Sequence, residues 1–416
     1  MKKDVVIYFS GKIIPALVNL LIIILGVRFL GEEQYGRYSL IFYGTVLVSN
    51  ICFTWIQQSM IRFLSFYKEK PSVVLSRFLL LALISVITGA GIIFFVCLLY
   101  FKLSLHEIMI VVFYTSMYIF FLFRLALYQA FMRPLKYASY EGAYNVLLLL
   151  FLLGFIYLIA FKSYLILFIS MGSALFLTEI FHFLFLPDGK YKLDLLHLRW
   201  SKRFSKKIMD YGFTLTVWIA ISTILMMADR YIIKEFDNYS AVGIYAAIKD
   251  LITKISTFAI LPIFLAYNAK INDAWNSGNK IKANTLIREA LKTEFLVFLM
   301  VSLIFFLSRD FLFTRILHLR SDGLFFSSVF LILSSFLWQA AMIIHKPFEL
   351  LLKQKTMVIL ILISLLANIS LNLIFVPRYG FQAAAVNSLV SVCIYIFLNL
   401  VFSKLYMQKL QEKKSV

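Results

Sequence analysis

Charge is scarce in this sequence. Charged residues make up 15% of its 416 positions, and only 21 residues are acidic, whereas a soluble domain averages about 25% charged residues. So little polar surface argues against a water-soluble globule. Cysteine is nearly absent too: Cys52, Cys97 and Cys393 all fall inside apolar stretches and lack CxxC spacing. A disulfide framework and a zinc site are therefore not expected, and the thiols are predicted to be buried in apolar surroundings. The five histidines are scattered, with no HExxH pair, and there is no Walker loop and no GxSxG turn. These absences argue against metal catalysis, against ATP-driven transport within this chain and against an enzyme in general. No cofactor is implied.

What fills the chain is apolar: 62% of residues are hydrophobic and the mean hydropathy is +0.88. Continuous apolar stretches run over residues 5–29, 38–63, 77–101, 107–132, 144–161, 164–187, 208–233, 241–268, 293–313, 324–347, 356–376 and 381–405. A helix needs about 20 residues to cross a hydrocarbon core ~30 Å thick. The stretches therefore predict an all-α integral membrane protein of about twelve spans, and leave no room for a sizeable soluble domain. Barrel strands would instead show ten-residue alternating segments. The first stretch follows Lys2 and Lys3 as a signal peptide would. It carries Lys12 and ends at Arg28 without a small-residue cleavage site, so a retained helix is expected.

The formal net charge of +20 would suggest nucleic acid in a soluble protein. Here the Lys and Arg concentrate in alternate connections, the pattern of a membrane protein with positive loops inside, and no nucleic-acid partner is expected. Both termini are then cytoplasmic. The inward connections carry Lys68 and Lys70, the dense run from Lys190 to Lys207, and Lys280 to Lys292, set to meet anionic headgroups. The polar connection splits the spans six and six: a bundle over 1–190, a cytoplasmic linker over 191–207 and a second bundle over 208–416. Gly278 to Lys292 reads as an amphipathic helix lying in the interface plane. A weak repeat supports the halving. Tyr8 opens a span that leads to Gly36, Arg37 and Tyr38, and Tyr211 opens one that leads to Gly243, Ile244 and Tyr245.

Ionisable residues inside spans carry the functional signal, since each costs about 2.5–3.5 kcal/mol to insert at a helix centre. Lys12 lies one to two turns into the first span, at a depth where Gln57, Gln58 and Arg62 of the second would meet it. Arg124 lies within the fourth span, Lys249, Asp250 and Lys254 within the eighth, and Lys346 ends the tenth. Two readings stand. Lys12, Arg124, Lys249, Lys254, Gln57 and Arg62 line a cationic cavity that attracts phosphate; or the long cations snorkel and Asp250 pairs with Lys254 at i,i+4. Glu179 and His182 share a face of the sixth span, either as a proton-coupling pair or as a buried structural one. Asn368 and Asn372 read as interhelical hydrogen bonds.

Three segments carry a family resemblance. Arg28 to Leu40 resembles the R-x-L-G-x-x-x-Y-G-x-Y pattern of the Wzx-type polysaccharide and O-antigen flippases. Ala228, Asp229, Arg230, Tyr231 with Val242, Gly243, Ile244, Tyr245 is similar to their second motif, and Asn372 to Gly380 to their third. Ala383 departs from the family's usual glycine. The resemblance implies the fold of multidrug and toxin extrusion transporters, two six-helix bundles in a V around an alternating-access cavity. It implies as substrate an undecaprenyl-pyrophosphate-linked oligosaccharide, moved from the cytoplasmic to the periplasmic leaflet of a bacterial inner membrane. An H+ or Na+ gradient would drive it, and membrane lipids, a polymerase and a chain-length regulator are its implied partners. Asp229, Arg230, Asp250 and Glu179 become gating or ion-coupling candidates, with Asp229 and Arg230 as an ion pair near the outer end of their span.

Two other readings remain. A multidrug exporter of the same fold would handle cations, which a basic cavity repels. An O-antigen polymerase would be expected to have a large outer loop, and the longest outer connections here, near 234–241 and 308–323, are short.

Overall fold

The computed structural model of the chain describes residues 2–64, 71–159, 163–185, 201–319 and 321–412. The described residues are helical almost throughout, without a strand: α1 (Lys2–Leu25), α2 (Glu32–Phe63), α3 (Pro71–Leu99), α4 (Leu105–Ala130), α5 (Pro134–Ile159), α6 (Leu165–Phe185), α7 (Lys202–Phe236), α8 (Tyr239–Asn276), α9 (Lys280–Asp310), α10 (Leu324–Ile344), the short α11 (Lys346–Leu350) and α12 (Gln354–Glu412). Ten of these helices are long and apolar enough to cross a membrane. One of the ten, α12, is two limbs that meet at Gly380, whose φ of 57° and ψ of −147° only glycine adopts readily. α8 stands outside the ten and is 38 residues long. Each of the twelve apolar stretches thus falls, over its described residues, mainly on a helix or a limb of one.

The chain forms two compact units: Met1–Ile22 with Arg37–Ala220, and Ile23–Gly36 with Ile221–Val416. The boundaries fall inside helices, in α1, α2 and α7, rather than in the polar connection. Of the expected linker, 191–200 lie outside the described residues, and 202–207 are the opening turns of α7. Lys68, Lys70 and the basic run from Lys190 through Arg199 also lie outside them.

In the first unit, α2, α3, α4 and the start of α7 close on one apolar core, in which Phe53, Ile56 and Met60 meet Phe78, Ala126 and Ile208. A Cβ on Gly212 would stand 2.4 Å from the Trp55 carbonyl oxygen, so α7 rests directly on the backbone of α2. Ser59 adds a hydrogen bond to the Ile208 carbonyl at 2.8 Å.

The second unit holds a closer approach. A Cβ on Gly36 would fall 2.0 Å from the Tyr239 carbonyl oxygen, and one on Gly243 would fall 1.8 Å from that of Glu32. The openings of α2 and α8 therefore cross with glycine against backbone on both sides. These are the two corresponding glycines of the sequence repeat. Asn238 caps α8 by accepting from the Ala241 amide at 2.9 Å, and Ser240 ties the crossing by donating to Glu32 at 2.8 Å.

Two expectations are corrected. Gly278 to Lys292 is no separate interfacial helix: Asn279 caps α9, accepting from the Lys282 amide at 3.0 Å, and the helix runs unbroken from Lys280 to Asp310. Of the three thiols only Cys97 is buried; Cys52 is half-buried and Cys393 is exposed, because a lipid-facing helix surface is as apolar as a core.

Candidate functional site

The interior cations do not form an unopposed positive surface. Each of five has a carboxylate partner: Lys12 with Glu141, Arg124 with Glu179, Arg230 with Asp250, Lys249 with Asp229 and Lys346 with Glu349. None of these five pairings was expected from the sequence.

In the first unit, Lys12 reaches α5. Its Nζ donates to Glu141 at 2.6 Å and to the Tyr137 hydroxyl at 3.1 Å, and lies 4.9 Å from the centre of the Tyr137 ring. Its expected neighbours on α2 are elsewhere: Gln57 is half-buried, and Arg62 is exposed over the Tyr211 ring at 4.4 Å. Arg124 of α4 donates to Glu179 of α6 at 3.0 Å, and Tyr140 of α5 donates to the other oxygen of the same carboxylate. Glu179 and His182 share the helix face as expected without bonding to each other. His182 pairs with the Tyr128 hydroxyl at 3.2 Å and meets the Tyr140 ring edge-on at 4.6 Å.

Aromatic rings continue this cluster. Phe121 stacks on Tyr140 at 5.1 Å and leans on Tyr144 at 4.9 Å, and Tyr114 stacks on Tyr118 at 5.8 Å. Both ion pairs keep part of their surface: the side chains of Lys12 and Glu141 are 29% and 14% exposed, and those of Arg124 and Glu179 27% and 22%.

The second unit differs in burial. Asp229 and Arg230 of α7, 0% and 1% exposed, are not an ion pair with each other. Both are crossed onto α8. Asp229 accepts from Lys249, from the Tyr245 hydroxyl and from Ser388 of α12. Arg230 grips Asp250 with two nitrogens, at 2.6 and 3.3 Å, and the Tyr35 hydroxyl donates to the same carboxylate at 3.1 Å. The expected i,i+4 pair of Asp250 with Lys254 is therefore replaced, and Lys254 is exposed. A bidentate guanidinium satisfies a carboxylate better than a flexible ammonium does. Lys249, expected in a substrate cavity, is buried in its pair. A small cavity of about 20 Å³ opens beside it, lined also by Thr253, Gln339, Asn368 and Ser388, large enough for a water molecule.

Elsewhere in this unit, Asn368, Asn372, Asn387 and Ser391 join the two limbs of α12 through hydrogen bonds of 2.9 to 3.1 Å, the interhelical role expected of the two asparagines. Lys346 is buried and pairs with Glu349, which also accepts from His345 at 3.1 Å. Among the described residues, no group of His, Cys, Asp or Glu is arranged to hold a metal ion.

The family model described as "polysaccharide biosynthesis protein" matches residues 1–267, and the chain belongs to that family. Its fold is that of transporters of the MOP superfamily. It is similar to a multidrug resistance MATE family transporter in the inward-facing conformation, with 15% identity, coverage of 98% of this chain and 99% of that one, and a TM-score of 0.76. Similar too are an outward-facing conformation of such a transporter, with 17% identity, coverage of 98% and 95% and a TM-score of 0.69, and a MATE in complex with MaL6, with 16% identity, coverage of 99% and 97% and a TM-score of 0.69. No curated protein sequence matches the chain.

Proposed function

We propose that this protein is a flippase that carries an undecaprenyl-pyrophosphate-linked oligosaccharide repeat unit, destined for O-antigen, capsule or exopolysaccharide, across a bacterial inner membrane. Transfer runs from the cytoplasmic to the periplasmic leaflet by alternating access, with both termini cytoplasmic and an H+ or Na+ gradient as the driving force. A polymerase and a chain-length regulator would take up the product. The family supports the pathway and the fold supports transport without a catalytic residue.

The observation that carries the reading is the pair of partly exposed cations, Lys12 and Arg124, each held by one carboxylate beside tyrosines in the same unit. A pyrophosphate offers each cation a stronger anion than a carboxylate, and the rings offer flat apolar faces to sugars. Lys249 and Arg230, being fully engaged in buried pairs, suit a gating role better than contact with substrate.

A cation exporter is the alternative, favoured by the fold neighbours and by Glu141 and Glu179, which could hold a cation once their partners swing away. Deleting the gene in its native host and restoring wild type or Lys12→Ala separates the two. Flipping predicts loss of surface polymer and accumulation of lipid-linked repeat units in the deletion strain, with rescue by wild type and none by Lys12→Ala. Unchanged polymer in the deletion strain would reject it in favour of the exporter.

A further inference from the structure

Three acids are buried to less than a tenth of their surface among the described residues: Asp229, Asp250 and Glu294. The first two face cations. Glu294 does not: it is 3% exposed, neither of its oxygens has a hydrogen-bond partner, and no charged side chain acts on it. It belongs to the inner face of α9, a stripe of Ala283, Ala290, Glu294, Ser302 and Phe305 that packs on α8 and, less extensively, on α10. Nothing in the packing of that face needs a carboxyl group, and the stripe is otherwise small or apolar. Counted down the hairpin from its turn at Ser277 to Asn279, Glu294 stands level with Pro262 of α8, and it opens the apolar part of α9 just past Arg288 and Lys292.

We propose that Glu294 is a proton-binding site: its carboxyl group is held as the neutral acid between α9 and its neighbours, and it gives up and regains that proton as these helices repack. A carboxylate ion in this position would carry its full desolvation penalty with nothing to offset it, so the packed arrangement selects the protonated form. The titratable residues of α8 nearest that level along the helix are Lys254, Tyr267, Lys270 and Asp273, of which Lys270 lies over the Tyr267 ring at 5.5 Å. α10 offers none, and the turn after α9 offers Arg315; none of these bonds to Glu294. The sign follows: acid favours the packed arrangement, and rising pH favours one in which Glu294 meets water or a cation. Coupling of this proton to transport rests on the flippase reading; the protonation itself does not.

The test uses the full-length protein in lipid vesicles. Infrared difference spectra, wild type minus Glu294→Gln, are expected to show the carbonyl stretch of a protonated carboxylic acid at neutral pH and its loss as pH rises. A hydrophobic carbodiimide gives a second readout on wild type alone. The acid proton moves to one carbodiimide nitrogen, the carboxylate oxygen bonds to the central carbon, and the acyl group migrates to nitrogen as an N-acylurea with no leaving group. The peptide containing Glu294 should gain the mass of one carbodiimide, with yield falling as pH rises. In the deletion strain, Glu294→Gln should reach wild-type protein level yet restore no polymer, and Glu294→Asp should restore it. Absence of both the protonated band and the label at every pH overturns the proposal. A protonated band together with normal polymer from Glu294→Gln overturns the coupling. Normal polymer in the deletion strain itself defeats the flippase reading instead, and leaves the spectra to judge Glu294 alone.

Discussion

Burial sorts the interior cations into two kinds with different consequences on mutation. Lys249 and Asp229 are enclosed together, so Lys249→Ala strands a buried carboxylate and should cost about 3–5 kcal/mol. The expected result is a lower melting temperature in detergent and less protein in the membrane. Replacing both partners by apolar residues, Asp229→Leu with Lys249→Met, should recover most of that loss, because no charge is then left alone. Lys12 and Arg124 sit in part-exposed pairs. Lys12→Ala and Arg124→Ala should cost less than Lys249→Ala, because the carboxylate that each leaves behind keeps part of its surface, while surface polymer on a gel is lost. Equal loss of protein in all three single variants would mean that burial does not divide them.

At the scale of elements, the crossing of α2 on α8 is held by the absence of two side chains. Gly243→Ala brings a methyl group to 1.8 Å from the Glu32 carbonyl oxygen, whereas a Cβ on Gly142 of α5 meets nothing within 4 Å. The first substitution should destabilise by about 1–3 kcal/mol or more, as overpacking does, and Gly142→Ala should be neutral or slightly stabilising; thermal unfolding of the two compares them. The helices themselves were legible in the sequence because hydrophobic stretches of membrane length leave few alternatives. Their polar partners were not. Glu141 lies just before the apolar stretch that begins at 144 and Glu349 just after the one that ends at 347. Hydropathy assigned both to connections, although α5 begins at Pro134 and α11 carries Glu349. The motif around Asp229 and Arg230 was visible as a pattern, but which acid meets which base depends on the rotation of α7 against α8. Spacing along one helix favours i,i+4 partners and carries no information about the neighbouring helix.

For the whole molecule, composition alone pointed to a multi-span membrane protein, and family and fold agree with it. The division into two units was less legible. A long polar connection looks like a boundary, yet the units part within α7, and residues 23–36 pack with the second. That membership bears on the order of synthesis. The segment from Ile23 to Gly36 leaves the ribosome long before Tyr239 and Gly243, against which it comes to rest. Early in translation Tyr35 and Glu32 still await Asp250 and Ser240, to which they bond in the finished fold, and the second unit stays incomplete until residues 23–36 are brought to it. A fragment that starts at 201 should therefore be degraded when made alone and rescued by co-expression of residues 1–200. A gene cut between the halves is then expected to work only where both pieces are kept together, because residues 23–36 belong to one piece by synthesis and to the other by packing.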